Sequence, residues 1–431
     1  TLTTPISAAR FMLPYWNPHR AGGSLASVND GSWKGEGQNP LEWLKNNPVD
    51  YKKYKIISTV FAEATPIEGL TLRSQFGVDY SHSTGRGISY PSYAPNLGSG
   101  TVQRNSSDGM SLSVTNTITY RFDIDNKHMF TFLAGQEGLD YRYEAFSLQT
   151  KDQNNDKLVN ISSSPRATRW SDTTDDNYAY LSFFGRAEYS YSDRYYADFS
   201  LRTDGSSRFG SNNRYGIFPS FSAGWRISQE DFLKGTWVDN LKLRLSWGKL
   251  GNNSIGNYDY LSTYASGYSY PFGGKLASGT VSTLSNDLLE WETTTSFDVG
   301  LEFATLKNRL TFEADYYDKQ TDGILYKAPV YATIGNKSAP YQNLCGVSNR
   351  GFEFTIGWRD QVKNFRYGIS ANFTRNWNKV TKYNGRLKAG WVTDANGVRS
   401  YVTNIGDVST VVDAARRTIE GRLINEYILV N

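Results

Sequence analysis

Apolar and polar residues alternate with a period of two through most of this chain. Phe297, Val299, Leu301 and Phe303, for example, are separated by polar or small residues. Such alternation predicts β-strands with one apolar face and one polar face. The pattern recurs in residues 112–121, 241–247, 310–317, 352–358 and 367–374. We therefore expect an all-β, antiparallel fold.

The predicted strands are long, and their polar faces carry charge. Many run for about 10 to 14 residues, whereas strands of soluble proteins average about 5 to 6 and membrane strands need about 9 to 11. Charged residues such as Arg244 and Glu302 lie deep within the polar faces, and aromatic residues such as Tyr195 and Trp377 collect near strand ends. A wet lumen accepts charge, and the headgroup region accepts aromatic rings. The pattern favours a membrane barrel over a soluble all-β protein.

The connections between predicted strands alternate between short and long. Short turns are expected at residues 66–69, 123–127, 192–194, 306–309 and 359–364, with a longer connection at 228–240 on the same side. Long polar loops are expected at residues 81–108, 143–177, 252–289, 320–348 and from 383 onward, with a moderate loop at 205–214. Membrane barrels combine short periplasmic turns with long extracellular loops. Six hairpins, and hence twelve strands, are predicted.

The amino-acid composition narrows the class of protein further. The 431 residues include 30 Tyr, 22 Phe and 39 Gly, which suit strands and turns. The net charge of +4 gives no reason to expect nucleic acid as a partner. No apolar run approaches the ~18 residues that a membrane helix requires. The lone Cys345 cannot form an intramolecular disulfide, and we expect an inert thiol.

The sequence gives only weak signals for a catalytic or metal-binding site. A carboxylate pair for glycoside hydrolysis could be sought among Glu290, Glu292, Asp298, Glu302, Glu313 and Asp315. These acids alternate with apolar residues, so we interpret them as lumen groups that face Arg and Lys of neighbouring strands. The run from Asp152 to Asp156 lacks the glycine and closing glutamate of a calcium loop. His19, His82 and His128 match no metal spacing. We expect no catalytic site, metal or cofactor.

Several motifs resemble a known family. The runs YADFSLRTDGSSRFG (196–210) and NRYGIFPSFSAGW (213–225) are the most specific, and LKLRLSWGKLGNN (241–253), LEWETT (289–294), YYDKQT (316–321) and NRGFE (349–353) follow in order. Together they resemble the SusC/RagA branch of the TonB-linked outer-membrane proteins of Bacteroidota. The resemblance extends from about Tyr51 to Asn384.

The resemblance implies a fold and a function. It implies an antiparallel up-and-down transmembrane β-barrel, of which residues 1–431 are a partial domain without the plug and the terminal strands of the 22-stranded barrel. It implies TonB-dependent uptake of oligosaccharides or peptides across the outer membrane of a Gram-negative bacterium. A surface lipoprotein of the SusD type, the TonB complex acting through the plug, and outer-membrane lipid are the implied partners.

Two groups of residues are candidates for a role: the signature of this resemblance and a set of aromatic residues in one long loop. The signature residues, expected to fix packing, are Arg202, Asp204, Gly205, Ser206, Ser207, Arg208, Phe209, Gly210, Phe218, Pro219, Ser220 and Trp225. Arg208 is expected to pair with Asp204 or with a lumenal carboxylate. The second group comprises loop aromatics that could contact sugar or peptide, or pack on their own loop: Tyr258, Tyr260, Tyr264, Tyr268, Tyr270 and Phe272.

Three other functions stay open on the sequence. A siderophore or cobalamin receptor would use the same machinery with another cargo. A passive porin or adhesin would lack a plug. A secreted all-β glycan-binding protein or hydrolase would bury its apolar strand faces in a core.

Overall fold

The fold is a long antiparallel sheet with small additions. The structure, a computed structural model, describes residues 6, 9–10, 13, 15–35, 37–96, 100–281, 284–327, 340–383, 390–393, 399–402 and 423. One short helix, α1, spans Pro40–Asn46. The strands are β1 Val49–Ile67, β2 Leu70–Ser89, β3 Gly100–Ile124, β4 His128–Gln153, β5 Arg169–Tyr191, β6 Tyr195–Ser206, β7 Tyr215–Arg226, β8 Val238–Asn252, β9 Tyr264–Phe272, β10 Lys275–Val281, β11 Glu292–Thr305, β12 Leu310–Lys327, β13 Tyr341–Val362, β14 Phe365–Tyr383, β15 Gly390–Thr393 and β16 Arg399–Val402.

The main sheet confirms the predicted up-and-down order. Its twelve strands run β1 to β8 and then β11 to β14, each beside its neighbour in the chain. Two further pairs, β9 with β10 and β15 with β16, form separate two-stranded sheets. Strand lengths reach 26 residues in β4, more than a bilayer crossing requires. Among the described residues, no helix is long and apolar enough to cross a membrane.

The short connections lie where the sequence predicts them. β1 and β2 are joined through residues 68–69, and the β3–β4, β5–β6, β11–β12 and β13–β14 turns are similarly tight. Gly69 has a φ of 79°, and a Cβ there would lie 2.1 Å from the carbonyl oxygen of Arg121. Only glycine fits this turn without moving the backbone. The longer β7–β8 connection contains two 3-10 turns, Ile227–Gln229 and Asp231–Leu233.

Three of the predicted long loops are largely strand over their described residues, so their predicted bounds were wrong. Within the predicted loop 320–348, β12 continues to Lys327 and β13 starts at Tyr341. β2 continues to Ser89 and β3 starts at Gly100, while β4 continues to Gln153 and β5 starts at Arg169. Polar cross-strand bonds hold one of these extensions together: Tyr80 and His82 both bond Asp108, at 2.6 and 2.9 Å. Polar residues occupy both faces here, which removes the alternation that marks a strand in sequence. The predicted loop at 252–289 likewise contains β9 and β10.

The chain contains two compact units, and the first comprises residues 1–60, 76–113 and 140–177. Asn39 organises its irregular part. The Asn39 side chain accepts a hydrogen bond from the Leu41 amide and donates to the carbonyls of Pro18 and Ala26, at 2.9 and 2.7 Å. An Asn cap followed by proline starts a helix efficiently, and α1 begins at Pro40. One buried amide thus ties the segment before α1 to the helix.

The second unit comprises residues 61–75, 114–139 and 178–431. It holds β6 to β8 and β11 to β14, whose registers place rows of apolar residues side by side in the middle of the strands. Leu301, for example, lies opposite Leu243 on one side and Ala314 on the other. The fully buried apolar residues are few and gather at one end, around Phe209, Ile255 and Leu289. Most large apolar side chains are instead on an uncovered face.

Candidate functional site

One face of β8 and β11 to β14 is apolar and exposed. One row of the register joins Phe303, Phe312, Ile356 and Ala371, and the next row on the same face joins Leu301, Ala314, Phe354 and Phe373. Ile369 of the same face is 73% exposed. An apolar surface of this extent is not stable in water and marks a lipid or protein contact.

The opposite face carries paired charges. Arg244 reaches Glu302 through Nε at 2.7 Å and Asp315 through Nη2 at 3.0 Å, and Lys242 lies 3.8 Å from Glu302. Arg202 bridges Asp204 and Glu137 in the same way, at 2.6 and 3.0 Å. These contacts confirm the interpretation for Glu302 and Asp315, which face Arg244, whereas Glu292 accepts hydrogen bonds from the Asn252 side chain and the Leu325 amide. Carboxylates engaged in this way lack the free, opposed geometry of a hydrolase pair.

The other polar candidates occupy structural contacts. His82 bonds Asp108, and His128 lies 2.8 Å from the hydroxyl of Tyr189. Asp156, in the calcium-like run, accepts a hydrogen bond from the Ser92 amide at 3.1 Å. Within the described part of the chain, no three His, Cys, Asp or Glu side chains converge as metal ligands.

The signature segment is anchored by a buried aromatic ring. Phe209 is 0% exposed and packs with Ile255 and Leu289. Trp291, from the LEWETT motif, lies against Phe209 with ring centroids 5.2 Å apart. Two motifs separated by about 80 residues in the sequence therefore meet in one cluster, which Tyr260, Leu325 and Tyr341 complete. The loop of moderate length after β6 is therefore fixed by the packing of Phe209.

Arg208 is fixed by amides and aromatic rings. Its Nε donates to the side-chain oxygen of Asn257 at 2.7 Å, and its Nη1 donates to the Asn253 carbonyl at 3.2 Å. Its guanidinium lies 4.6 Å from the ring centre of Tyr178. The prediction that Arg208 pairs with Asp204 or another carboxylate was wrong, because Asp204 is already paired with Arg202. Arg208 donates instead to Asn253 and Asn257, which the sequence reasoning missed.

The remaining signature residues also lie in close contacts. Ser206 accepts from Asn253 at 2.9 Å, and Ser207 accepts from the Ala179 amide at 2.9 Å. A Cβ on Gly205 would lie 2.4 Å from the Tyr215 ring, and one on Gly210 would lie 3.1 Å from the Asp287 carbonyl. Phe218 is buried against Trp291, Pro219 lies opposite Leu201, and Ser220 bonds Ser200 at 2.6 Å.

Trp225, the last signature residue, lies at the short-turn end. It stacks on Tyr195 and donates to Glu230 at 3.1 Å, while the Tyr195 hydroxyl donates to Glu230 at 2.6 Å. These two donors, with Arg194 nearby, lower the pKa of the Glu230 carboxyl. Signature residues thus make packing and hydrogen-bond contacts at both ends of the strands, around Phe209 at one end and around Glu230 at the other.

The loop aromatics divide into two groups. Tyr260 packs against the Phe209 cluster, whereas Tyr258 is 45% exposed. The backbone of β9 carries Tyr264, Tyr268, Tyr270 and Phe272, but their side chains lie outside the described residues. Of the six predicted contact residues, Tyr260 has a packing role and Tyr258 projects from the surface.

The sequence matches the family described as "TonB dependent receptor-like, beta-barrel" over residues 6–418. It is 38% identical to TonB-dependent receptor SusC of Bacteroides thetaiotaomicron over 221 residues, which are 50% of this chain and 22% of that protein. It is 30% identical to TonB-dependent receptor P26 of Formosa agariphila over 373 residues, 83% of this chain and 37% of the relative.

Comparison with solved structures leads to the same family. The RagAB peptide importer in its closed-closed state matches 91% of this chain with a TM-score of 0.77 and 28% identity, and the match covers 48% of the importer chain. The RagAB structure in the open-open state matches 97% of this chain with a TM-score of 0.77. The chain thus spans about half the length of these importer chains and a smaller share of the curated relatives.

Proposed function

Because the chain belongs to the family of TonB-dependent receptor-like β-barrels, and to its SusC/RagA branch, we propose that it forms part of the wall of an outer-membrane nutrient importer. The observation that carries the proposal is the division of the sheet into an exposed apolar face and a face of paired charges. Lipid covers the first face and an aqueous or plugged interior accepts the second. An up-and-down order of long strands is the arrangement that such a wall requires.

The orientation follows from the connections. The tight turns face the periplasm, and the opposite ends of the strands, where the longer β6–β7 and β8–β11 connections begin, face the outside. The Phe209 cluster therefore lies at the extracellular end. Alignment with 48% of the RagAB importer chain supports a larger barrel, of about 22 strands, to which the described residues contribute the twelve strands of the main sheet. A plug domain outside residues 1–431 would carry the coupling to TonB.

Oligosaccharides or peptides are the cargo that we propose. The RagAB chains are named as a peptide importer and SusC as a TonB-dependent receptor. An exposed tyrosine such as Tyr258 can stack on a sugar ring or pack on a peptide side chain. A SusD-type surface lipoprotein would close the extracellular end. The chain itself performs no catalysis in this scheme, and two of the candidate carboxylates, Glu302 and Asp315, are held in ion pairs with Arg244.

The test is uptake by cells of the source bacterium that carry or lack the full-length protein containing this chain. Fluorescent oligosaccharides and fluorescent peptides are supplied separately, and a strain without TonB is the control. We expect one cargo class to accumulate only when both the protein and TonB are present. Equal accumulation without TonB would indicate a passive pore, and unchanged uptake of both cargo classes without the protein would refute the proposal.

A further inference from the structure

One face of β2, β3 and β4 is uncharged where these strands extend toward the long connections. It consists of the odd-numbered residues of 81–89, 101–113 and 141–149, each of which is serine, glycine, threonine, asparagine, glutamine, tyrosine or alanine. We call this set the neutral strip, and all of it belongs to the first unit. The even-numbered residues of the same stretches include five charged side chains: Arg86, Arg104, Asp108, Arg142 and Glu144.

Side-chain contacts place these residues of the three strands on one surface. The Ser83 and Ser107 hydroxyls lie 2.6 Å apart across β2 and β3. A Cβ on Gly109 of β3 would lie 3.2 Å from the Ser81 hydroxyl of β2 and 3.6 Å from the Tyr143 ring of β4. The neutral strip is therefore continuous from β2 to β4.

The neutral strip lies on the side of the sheet opposite the apolar face. Phe76, on β2, is 45% exposed, and Val78 and Leu112 are further even-numbered apolar residues of β2 and β3. Successive side chains of a strand point to opposite faces, so Ser81 and Ser111 lie on the other side from these residues. In the orientation of the proposed function, the neutral strip faces the interior of the barrel.

The neutral strip begins at the level where the apolar face ends. Beyond Val78 that face turns polar, since His82 bonds Asp108 at 2.9 Å. The 20 residues of β2, at ~3.3 Å each and tilted by about 40°, rise roughly 50 Å, about twice the height of the apolar band of a membrane barrel. The neutral strip therefore lines the extracellular mouth of the barrel, where cargo enters.

Charged side chains of the first unit border the neutral strip. Asp79, the residue that precedes it on the same face of β2, is paired with Lys55 of β1 at 2.9 Å. Other charges at the border are Lys53 on β1, Lys151 on β4 and Asp176 on β5, the neighbour of β4. A cargo group that lies on the strip itself therefore meets hydroxyls, amides and rings and no fixed charge.

The neutral strip combines hydrogen-bonding groups and an aromatic ring with a glycine floor. Serine hydroxyls and asparagine amides both donate and accept hydrogen bonds, as sugar hydroxyls do. The partly exposed ring of Tyr143 can stack on the apolar face of a sugar. A Cβ on Gly85 would overlap the Asn105 side-chain amide, and the space above Gly87 is open, with the Gln103 Cβ 4.0 Å away. Glycine inside a strand often marks a close approach of a ligand to the backbone.

We propose that the neutral strip binds uncharged oligosaccharide as it enters the importer. The inference rests on the proposed function and deepens it, because it chooses between the two classes of cargo. A peptide brings charged ends and side chains from water to a surface that offers no counter-charge, and desolvation of such groups is costly. An acidic oligosaccharide is disfavoured for the same reason, whereas neutral sugar hydroxyls exchange water for serine and asparagine at little cost.

The experiment compares the full-length protein with its Asn105→Ala and Tyr143→Ala variants, single and combined. Matched controls remove side chains from the opposite face of the same strands, with Ser106→Ala for β3 and Phe146→Ala for β4. The probes are neutral gluco-, manno- and galacto-oligosaccharides, oligogalacturonate of the same length, and peptides of similar mass with free ends. Binding is measured by calorimetry in detergent, and folding by the mobility shift on boiling.

We expect the parent protein to bind at least one neutral oligosaccharide and to bind the charged probes more weakly. Each single variant should bind that oligosaccharide about fivefold more weakly, as for the loss of one neutral hydrogen bond or one aromatic stack, and the double variant about 25-fold more weakly. Both controls should bind like the parent. Equal binding by the double variant and the parent would overturn the proposal. So would a charged probe bound as tightly as the neutral ones, or no binding of any neutral probe.

Gly85→Ala keeps the test valid if the double variant does not fold. Its methyl group would displace only the end of the Asn105 side chain, so folding should persist while binding weakens about fivefold. Cargo uptake measured in parallel separates this inference from the proposed function. TonB-dependent uptake of peptides without binding of neutral oligosaccharide would overturn the inference and leave the import proposal standing.

Discussion

Two neighbouring regions at the end of the strands that carries the long connections are built in opposite ways. In the anchored segment, residues 205–210, Phe209 is fully buried and Arg208 is held by two asparagines and a tyrosine ring. In the aromatic connection, residues 258–272, Tyr258 projects into solvent, and among the described strands β9 and β10 form a two-stranded sheet of their own. The first region fastens the loops to the strands. In the second region Tyr260 shares in that attachment, whereas the exposed Tyr258 can change without affecting it.

The boundary between the two regions is sharp. Asn257 and Tyr260 belong to the anchored side, although Tyr258 between them does not. A deletion of residues 258–270 would therefore remove a packing residue together with the exposed ones. Experiments that separate attachment from cargo contact must leave Asn257 and Tyr260 intact.

The largest effect is expected from Phe209→Ala. Truncation of a fully buried phenylalanine removes its packing on Ile255 and Leu289 and costs about 3–5 kcal/mol. Urea titration of the full-length protein in bilayers, followed by tryptophan fluorescence, measures the change. A midpoint equal to that of the parent protein would show that the cluster does not anchor the loop.

A matched pair of leucines sharpens this result. Leu289 is fully buried in the same cluster, and Leu288 beside it is 70% exposed. Leu289→Ala should cost about 2–5 kcal/mol, because it opens a cavity, while Leu288→Ala should stay within about 0.5 kcal/mol of the parent. The same urea titration reads both variants. Similar losses for the two would indicate that neighbouring loops, and not this cluster, determine stability.

The contrast also explains what the sequence could predict. Strand order and turns followed from alternation, because lipid imposes one apolar face on every crossing. The extensions of β2 to Ser89 and β4 to Gln153 could not be predicted in this way, because polar residues occupy both faces there. The family motifs contain Phe209 and Trp291, but no pattern in the sequence around either residue shows that the two rings are in contact.

The partner of Arg208 was predicted wrongly for a related reason. Asp204 is close in sequence, but it lies beside Arg202 and is already engaged by it. The true partners, Asn253 and Asn257, come 45 and 49 residues later, after β7 and β8. Arg208 meets these asparagines only because the chain folds back after two further strands. Contacts between residues so far apart in sequence produce no periodic pattern that a single sequence could show.

Arg208→Lys should have an intermediate effect. Lysine keeps the charge but cannot donate to Asn257 and Asn253 with a rigid fork, so we expect a loss of about 1–3 kcal/mol. Asn257→Ala should cost a similar amount, and the two changes combined should cost less than their sum because they break one contact. Strictly additive losses in the urea titration would contradict a direct bond between these side chains.

Tyr258→Ala should have the smallest effect on stability and a clear effect on uptake. The side chain is exposed, so its removal should change the free energy of unfolding by less than about 0.5 kcal/mol. If Tyr258 contacts cargo, uptake should fall severalfold, since stacking on an aromatic ring contributes about 0.5–1.5 kcal/mol beyond area burial. Tyr260→Ala is the matched control: it should lower stability, because Tyr260 packs on the Phe209 cluster. Normal uptake by Tyr258→Ala would remove the one described aromatic side chain that supports a cargo contact here. The cargo role would then have to be sought in β9 and β10, by deleting residues 264–281 while the anchored segment stays in place.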